Sequence, residues 1–126
     1  MTDKPIHLPS ATHPITVEPT GKHVTVLVNG VVVADTDNSL TLQEASYPAV
    51  QYIPMQDVAQ NLLKPSSTTT YCPFKGDASY YSVEPTASSG VVEDVIWTYE
   101  QPYPAVADIA GHVAFYPDKA EVVVSS

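Results

Sequence analysis

The clearest pattern of hydrophobic positions is a pair of β-branched runs separated by two residues. The runs are residues 24–28 and 31–34, and Asn29-Gly30 lies between them. Asn and Gly accept the positive φ angles that a type I′ turn requires at both central positions. This segment therefore predicts a β-hairpin.

Short alternating or β-branched runs continue along most of the remaining chain, separated by turns rich in Pro, Ser, Thr and Asp. In residues 91–99, for example, Val95, Trp97 and Tyr99 fall on one face of an extended strand. Residues 64–70 are a Pro-Ser-Thr stretch and are expected to form a loop. The pattern predicts about eight short strands.

The hydrophobic period changes to that of a helix at one place only. Five apolar positions there have helical spacing: Met55, Val58, Ala59, Leu62 and Leu63. Pro54 precedes them and suits the first turn of a helix. We expect one short helix of about ten residues here, and a single helical turn at residues 107–110.

The chain has 126 residues, which is the size of a single domain. Residues 1–13 are rich in Pro, His and Thr, so we expect a flexible N-terminal lead-in followed by one domain at residues 14–126. The residues by themselves favour a mainly β protein and leave a sandwich, a barrel and a split sheet open.

Composition removes several classes of partner. The chain carries fourteen acids against five lysines and no arginine, a formal charge of −9. Arginine is the usual reader of base edges and phosphates, so a nucleic-acid partner is not expected. The longest apolar run is too short to cross a bilayer, and no targeting segment is visible. A single cysteine excludes an internal disulfide and suits a cytoplasmic location.

Candidate chemistry is concentrated in one turn. Lys75 follows Cys72 by three positions and could activate its thiol as a nucleophile, whereas a small buried side chain is the plainer interpretation. Lys75 and Asp77 could hold a polar group, or simply form a solvated turn. Asp35 and Asp37 have the spacing of a magnesium-binding pair, but an acidic turn explains them better.

Aromatic side chains are the richest feature of the sequence. Trp97 and Tyr99 project from one strand face, and Tyr52 and Tyr80 lie on other predicted strands. Such a wall suits a flat or amphipathic ligand, although core packing accounts for the same residues equally well. His112, after Gly111, is the histidine most expected near a cleft, as a general base or as a hydrogen-bonded strand residue.

Several segments resemble, in order, the bacterial and fungal family known as domain of unknown function four-twenty-seven, which also carries a nucleotidyltransferase label. The most specific are Cys72-Pro73-Phe74-Lys75-Gly76 and Ala114-Phe115-Tyr116-Pro117. The resemblance implies two antiparallel sheets in a β-tent, or Mss4-like, arrangement with a groove between them. Zinc-binding relatives of that fold use paired cysteines, and Lys75 stands where the second would be. Neither a metal nor a cofactor is therefore expected.

The leading hypothesis is a small-molecule binding domain whose inter-sheet groove is lined by aromatic side chains. Two alternatives are a homodimeric interaction module, with the hairpin at a sheet edge, and an enzyme. The enzyme would perform nucleotidyl transfer or thiol chemistry with Cys72, Lys75 and His112 as candidate catalytic residues. The expected ligand-binding residues, rim first and then wall, are Cys72, Lys75, Asp77, Tyr52, Tyr80, Trp97, Tyr99 and His112.

Overall fold

The computed structural model describes residues 4–125 as ten β-strands joined by turns and short 3₁₀ segments. The strands are β1 (Ile15–Pro19), β2 (Val24–Val28), β3 (Val31–Thr36), β4 (Leu40–Glu44), β5 (Val50–Pro54), β6 (Leu63–Cys72), β7 (Gly76–Val83), β8 (Val92–Thr98), β9 (His112–Phe115) and β10 (Glu121–Val124). They form one seven-stranded and one three-stranded sheet, both antiparallel. The mainly β fold with two antiparallel sheets is confirmed.

The predicted hairpin is confirmed as β2 and β3. Val28 pairs with Val31, and the two turn residues have positive φ angles, 50° at Asn29 and 80° at Gly30. However, the small sheet has the order β10-β2-β3, so β2 lies in its centre. The expectation that both hairpin strands lie at a sheet edge is wrong for β2, because β10 occupies its other side.

The seven-stranded sheet consists of two wings. Its order is β1-β4-β5-β9-β8-β7-β6, and β5 and β9 share only two residue pairs, Ile53 with Val113 and Pro54 with His112. We call β1, β4 and β5 the first wing and β6 to β9 the second wing. Within residues 4–125, these two residue pairs are the strand pairing that joins the first wing to the second.

One face of the large sheet packs against the small sheet. Val24, Val26 and Val28 of β2 are fully buried there against Ile53 and Ile96 of the large sheet. The opposite face carries a second apolar cluster, which includes residues from both wings and from the 3₁₀ segment Pro104–Ile109. Valine side chains therefore fill much of the space between the two sheets.

The predicted helix at residues 54–63 is wrong as an α-helix. The segment forms two 3₁₀ turns, Met55–Asp57 and Gln60–Leu62, with Val58 extended between them. Val58 forms a β-bridge with Ala34, and the Ala59 amide donates to the Val33 carbonyl at 2.8 Å. Pairing with the edge of β3 therefore takes up backbone groups that a helix would have bonded internally.

The predicted loop at residues 64–70 is instead most of β6. This strand lies at the edge of the large sheet and its register shifts between Pro65 and Thr69. Proline, which lacks an amide hydrogen, is tolerated at such an edge and at irregular pairing. The helical turn predicted at residues 107–110 overlaps the 3₁₀ segment Pro104–Ile109.

Residues 4–14 have no regular secondary structure, but they contact the turn that follows β6. The His7 amide donates to the Pro73 carbonyl at 2.9 Å, and the Tyr71 hydroxyl donates to the Pro5 carbonyl at 2.5 Å. His13 stacks on Phe74 with ring centroids 4.1 Å apart. Across residues 4–125, no helix has the length and apolar character needed to cross a membrane.

Candidate functional site

A cavity of about 280 Å³ lies between the two wings of the large sheet. The first wing contributes side chains of β4 and β5, and the second contributes the turn after β6 and strands β7 and β8. No residue of β2, β3 or β10 lines it. The cavity is thus on the face of the large sheet that points away from the small sheet, which corrects the expected inter-sheet position.

Strand register places the aromatic wall of the cavity. Tyr80 of β7 pairs with Trp97 of β8, and Trp97 pairs with the small Ala114 of β9. Side chains of directly paired residues share a face, so Tyr80 and Trp97 are neighbours. Tyr116 follows Ala114 by two positions and reaches the same wall.

The aromatic rings contact one another across the wings. The Tyr52 ring of the first wing lies edge-on to Trp97 at 6.3 Å between centroids, and the Trp97 Nε1 donates to the Tyr52 hydroxyl at 3.2 Å. The Tyr116 ring lies 4.5 Å from that of Trp97 and is stacked with Tyr80. These contacts pack the rings of the wall against one another.

The Tyr99 hydroxyl differs from the others in this wall. Tyr80 shares hydrogen bonds with Thr70 at 2.9 Å and Tyr116 at 3.1 Å, but the Tyr99 hydroxyl has no partner within residues 4–125. Tyr99 is only 7% exposed, and burial raises its pKa far above the ordinary value. In the described part of the chain no fully buried side-chain polar atom lacks a partner, so this hydroxyl must reach open space. Tyr99 lines the cavity, so the cavity is the open space that its hydroxyl reaches.

The polar end of the cavity is an ion pair. The Lys75 Nζ donates to the Glu44 Oε1 at 2.5 Å and lies 3.6 Å from the Cys72 Sγ. The other oxygen of Glu44, Oε2, accepts from the His13 Nε2 at 2.8 Å. Lys75 is 8% exposed, so its charge needs this partner to remain buried.

The pKa of Glu44 shows the balance of forces at this end. Burial is the largest single influence and acts to raise the pKa of this carboxyl. The hydrogen bonds from Lys75 and His13, together with their charges, outweigh burial and lower the pKa overall. Glu44 is therefore held as a carboxylate between Lys75 and His13.

Comparison with protein families identifies the chain. The family model described as Domain of unknown function (DUF427) matches residues 16–126. The chain belongs to this family. No curated protein matches the sequence. The family resemblance seen in the sequence is confirmed.

The DUF427 domain brings together most of the residues predicted for its site. Five of them line the cavity: Tyr52, Lys75, Tyr80, Trp97 and Tyr99. Cys72 packs against the adjoining apolar cluster and its Sγ lies 3.6 Å from the Lys75 Nζ, but it does not line the cavity. Ligand contact by these residues stays a prediction.

Two predicted residues lie elsewhere in the DUF427 domain. Asp77 is exposed and pairs with Lys4 at 2.5 Å, because it begins the outward-facing alternation of β7. His112 donates from its Nδ1 to the Ala110 carbonyl at 2.9 Å and does not line the cavity. Neither is positioned as a wall residue of this cavity.

Glu44, Tyr47 and Tyr116 are the charged and aromatic lining residues that the sequence did not predict. Alternation along β4 would have placed Glu44 on the face of Leu40 and Leu42, which lie in the cluster beside the cavity. Tyr116 belongs to a segment typical of the family, but its face depends on where β9 ends.

The acidic pair after the hairpin holds a histidine. His23 lies between Asp35 and Asp37, with the Nδ1 2.6 Å from the Asp37 carboxylate and the Nε2 in contact with that of Asp35. The hydrogen bond to Asp37, then that to Asp35, raises the pKa of His23. In residues 4–125, no three His, Cys, Asp or Glu side chains are grouped to hold a metal ion.

Proposed function

We propose that this DUF427 domain binds a small molecule with a flat apolar body in the cavity between the two wings. One observation carries the proposal: six aromatic side chains converge on a cavity of about 280 Å³ that they do not fill. Ligand sites are typically concave, mostly apolar and furnished with a few placed polar groups. The aromatic wall, with the Lys75–Glu44 pair at its end, has this composition.

The exposure of the wall also supports binding. Trp97 and Tyr116 are only half-buried, and Tyr47, which lines the cavity, is 61% exposed. A side chain that serves only the core is expected to be sealed by its neighbours. The cavity therefore has an opening, and Tyr47 lies at it.

Trp97 provides a direct test, because it is the only tryptophan of the chain. We expect members of a fragment panel containing nucleotides, aromatic acids, amides and amines to change its fluorescence. A fragment at a hundredfold excess over its Kd should raise the free energy of unfolding by about 2.7 kcal/mol.

A variant whose side chain fills the cavity is the matched comparison. Val50→Phe places a ring inside the cavity and should abolish both responses, whereas Val32→Phe, on the exposed side of β3, should leave them intact. Silence of wild-type protein across the panel, or binding that survives Val50→Phe, would contradict the proposal.

Thiol chemistry at Cys72 is the second candidate function, favoured by the Lys75 Nζ at 3.6 Å from the Sγ. An ammonium at this distance stabilises a thiolate. The rate of Cys72 alkylation at one pH tests it: wild type should react faster than Lys75→Met. Equal rates would remove the reason for this candidate.

The homodimer and the cytoplasmic location stay predictions. Within the small sheet, the open edge is β10, where Val123 and Val124 are exposed, since the edge of β3 is partly covered by Val58 and Ala59. Nucleotidyl transfer has less support, because Asp35 and Asp37 are bonded to His23 and none of the three lines the cavity.

A further inference from the structure

We infer that the ligand of this cavity is a neutral ring-borne carbonyl compound, such as an aromatic amide, whose oxygen accepts hydrogen bonds from Tyr99 and Lys75. The inference rests on the proposed small-molecule function and adds the chemical class. It follows from the polar groups of the cavity that have unused hydrogen-bond donors.

Tyr99 supplies the first donor. Among the buried tyrosines of the cavity, Tyr99 is the one whose hydroxyl makes no hydrogen bond within residues 4–125, since Tyr52 accepts from Trp97 and Tyr80 bonds to Thr70 and Tyr116. Burial keeps Tyr99 protonated, so it has an O–H to donate. The hydroxyl reaches the open space of the cavity, where a ligand oxygen would accept its hydrogen bond.

Lys75 supplies the second donor. An ammonium group has three N–H bonds, and Lys75 directs one to Glu44 and one, weakly, to the Cys72 sulfur at 3.6 Å. Its third N–H has no partner within residues 4–125, and Lys75 lines the same cavity as Tyr99. Tyr99 and Lys75 thus each offer a hydrogen to the cavity, which favours an acceptor on the ligand.

The charge balance selects a neutral acceptor over an anion. Glu44 already compensates Lys75, and its second oxygen is bonded to His13. A ligand carboxylate would compete with Glu44 for one ammonium and leave a buried negative charge without a partner, which costs more than its hydrogen bonds return.

A cationic ligand fits less well, although aromatic walls often bind cations. The Lys75 ammonium lines the cavity and would repel a second cation, and the Tyr99 O–H would still have no acceptor. The Tyr52 and Trp97 rings also meet edge to face instead of offering parallel faces to a central charge.

Three probes that share one ring and differ only in the polar group test the inference: benzamide, benzoate and benzylammonium. We expect benzamide to change Trp97 fluorescence at the lowest concentration, with a Kd roughly tenfold below those of the charged probes. Tyr99→Phe should weaken benzamide roughly 3- to 10-fold and leave benzylammonium unchanged. Circular dichroism verifies that each variant is folded.

Tyr81→Phe is the matched control, because Tyr81 also has a hydroxyl without a partner in the described chain but packs on the opposite face of β7. Tightest binding of benzoate or benzylammonium, or no effect of Tyr99→Phe on benzamide, would overturn the inference and leave the proposed function intact. Failure of these probes and of every other member of the fragment panel would overturn both.

Discussion

Lys75 occupies its buried position because of the backbone around it. The Lys75 amide donates to the Cys72 carbonyl at 3.2 Å, and its own carbonyl accepts from the Tyr103 amide at 2.9 Å. Gly76 follows with a φ of 116°, and the Gln101 carbonyl lies 3.4 Å from where a Cβ would be. A side chain at that position would be strained, so glycine permits the turn that directs Lys75 inward.

Lys75→Met should destabilise the protein by about 3 kcal/mol, because it leaves Glu44 without its main partner in a poorly solvated site. Lys64→Met is the matched control, since its Nζ lies 3.8 Å from Glu84 in an exposed pair and should cost less than about 1 kcal/mol. Urea unfolding measures both. Equal losses of unfolding free energy in the two variants would show that the buried ion pair contributes no more to stability than the exposed one.

The hairpin illustrates how position in a sheet separates similar residues. Val26 and Val32 belong to adjacent strands with nearly the same composition, yet Val26 is fully buried and Val32 is 50% exposed. The difference arises because β2 is the central strand of the small sheet and directs alternate side chains onto the large sheet.

Val26→Ala should therefore lower the free energy of unfolding by about 2 kcal/mol, through lost burial and a residual cavity. Val32→Ala in the same hairpin should change it by less than about 0.5 kcal/mol. Chemical denaturation of the two variants tests the assignment of β2 as the central strand. A larger loss of stability in Val32→Ala than in Val26→Ala would indicate that the exposed face of β3 packs against another molecule in solution.

At the scale of the whole molecule, Glu44 and His23 give the free energy of unfolding opposite dependences on pH. Glu44 has a lowered pKa, so its contribution is present above the ordinary value of 4.5 and is lost as pH falls through the folded-state value. His23 has a raised pKa, so its contribution is present below 6.5 and is lost as pH rises through the folded-state value.

Stability should consequently be greatest between pH 4.5 and 6.5, where both contributions are present. Urea midpoints measured across pH check this, with Glu44→Gln expected to reduce the acid-side loss and His23→Asn the loss above 6.5. A wild-type midpoint that keeps rising above pH 6.5 would contradict the role of His23.

Much of the site was predictable because its residues lie in strongly patterned segments. Trp97 and Tyr99 alternate along one strand, and Lys75 belongs to a turn typical of the family. Glu44 escaped notice because its importance depends on Lys75, which is 31 positions away in the sequence. Asp77 and His112 do not line this cavity, because Asp77 points outward to Lys4 and His112 bonds to the Ala110 carbonyl.

The sequence by itself determined the hairpin, the mainly β character and most of the strands, since turn preferences and side-chain alternation act over a few residues. Only the tertiary structure decided where the cavity lies. Both faces of the large sheet carry apolar side chains, so alternation cannot tell which face meets the small sheet. That choice depends on long-range pairing, including the two-residue joint between β5 and β9. The same long-range pairing turned residues 54–63 away from the helix that their spacing favours.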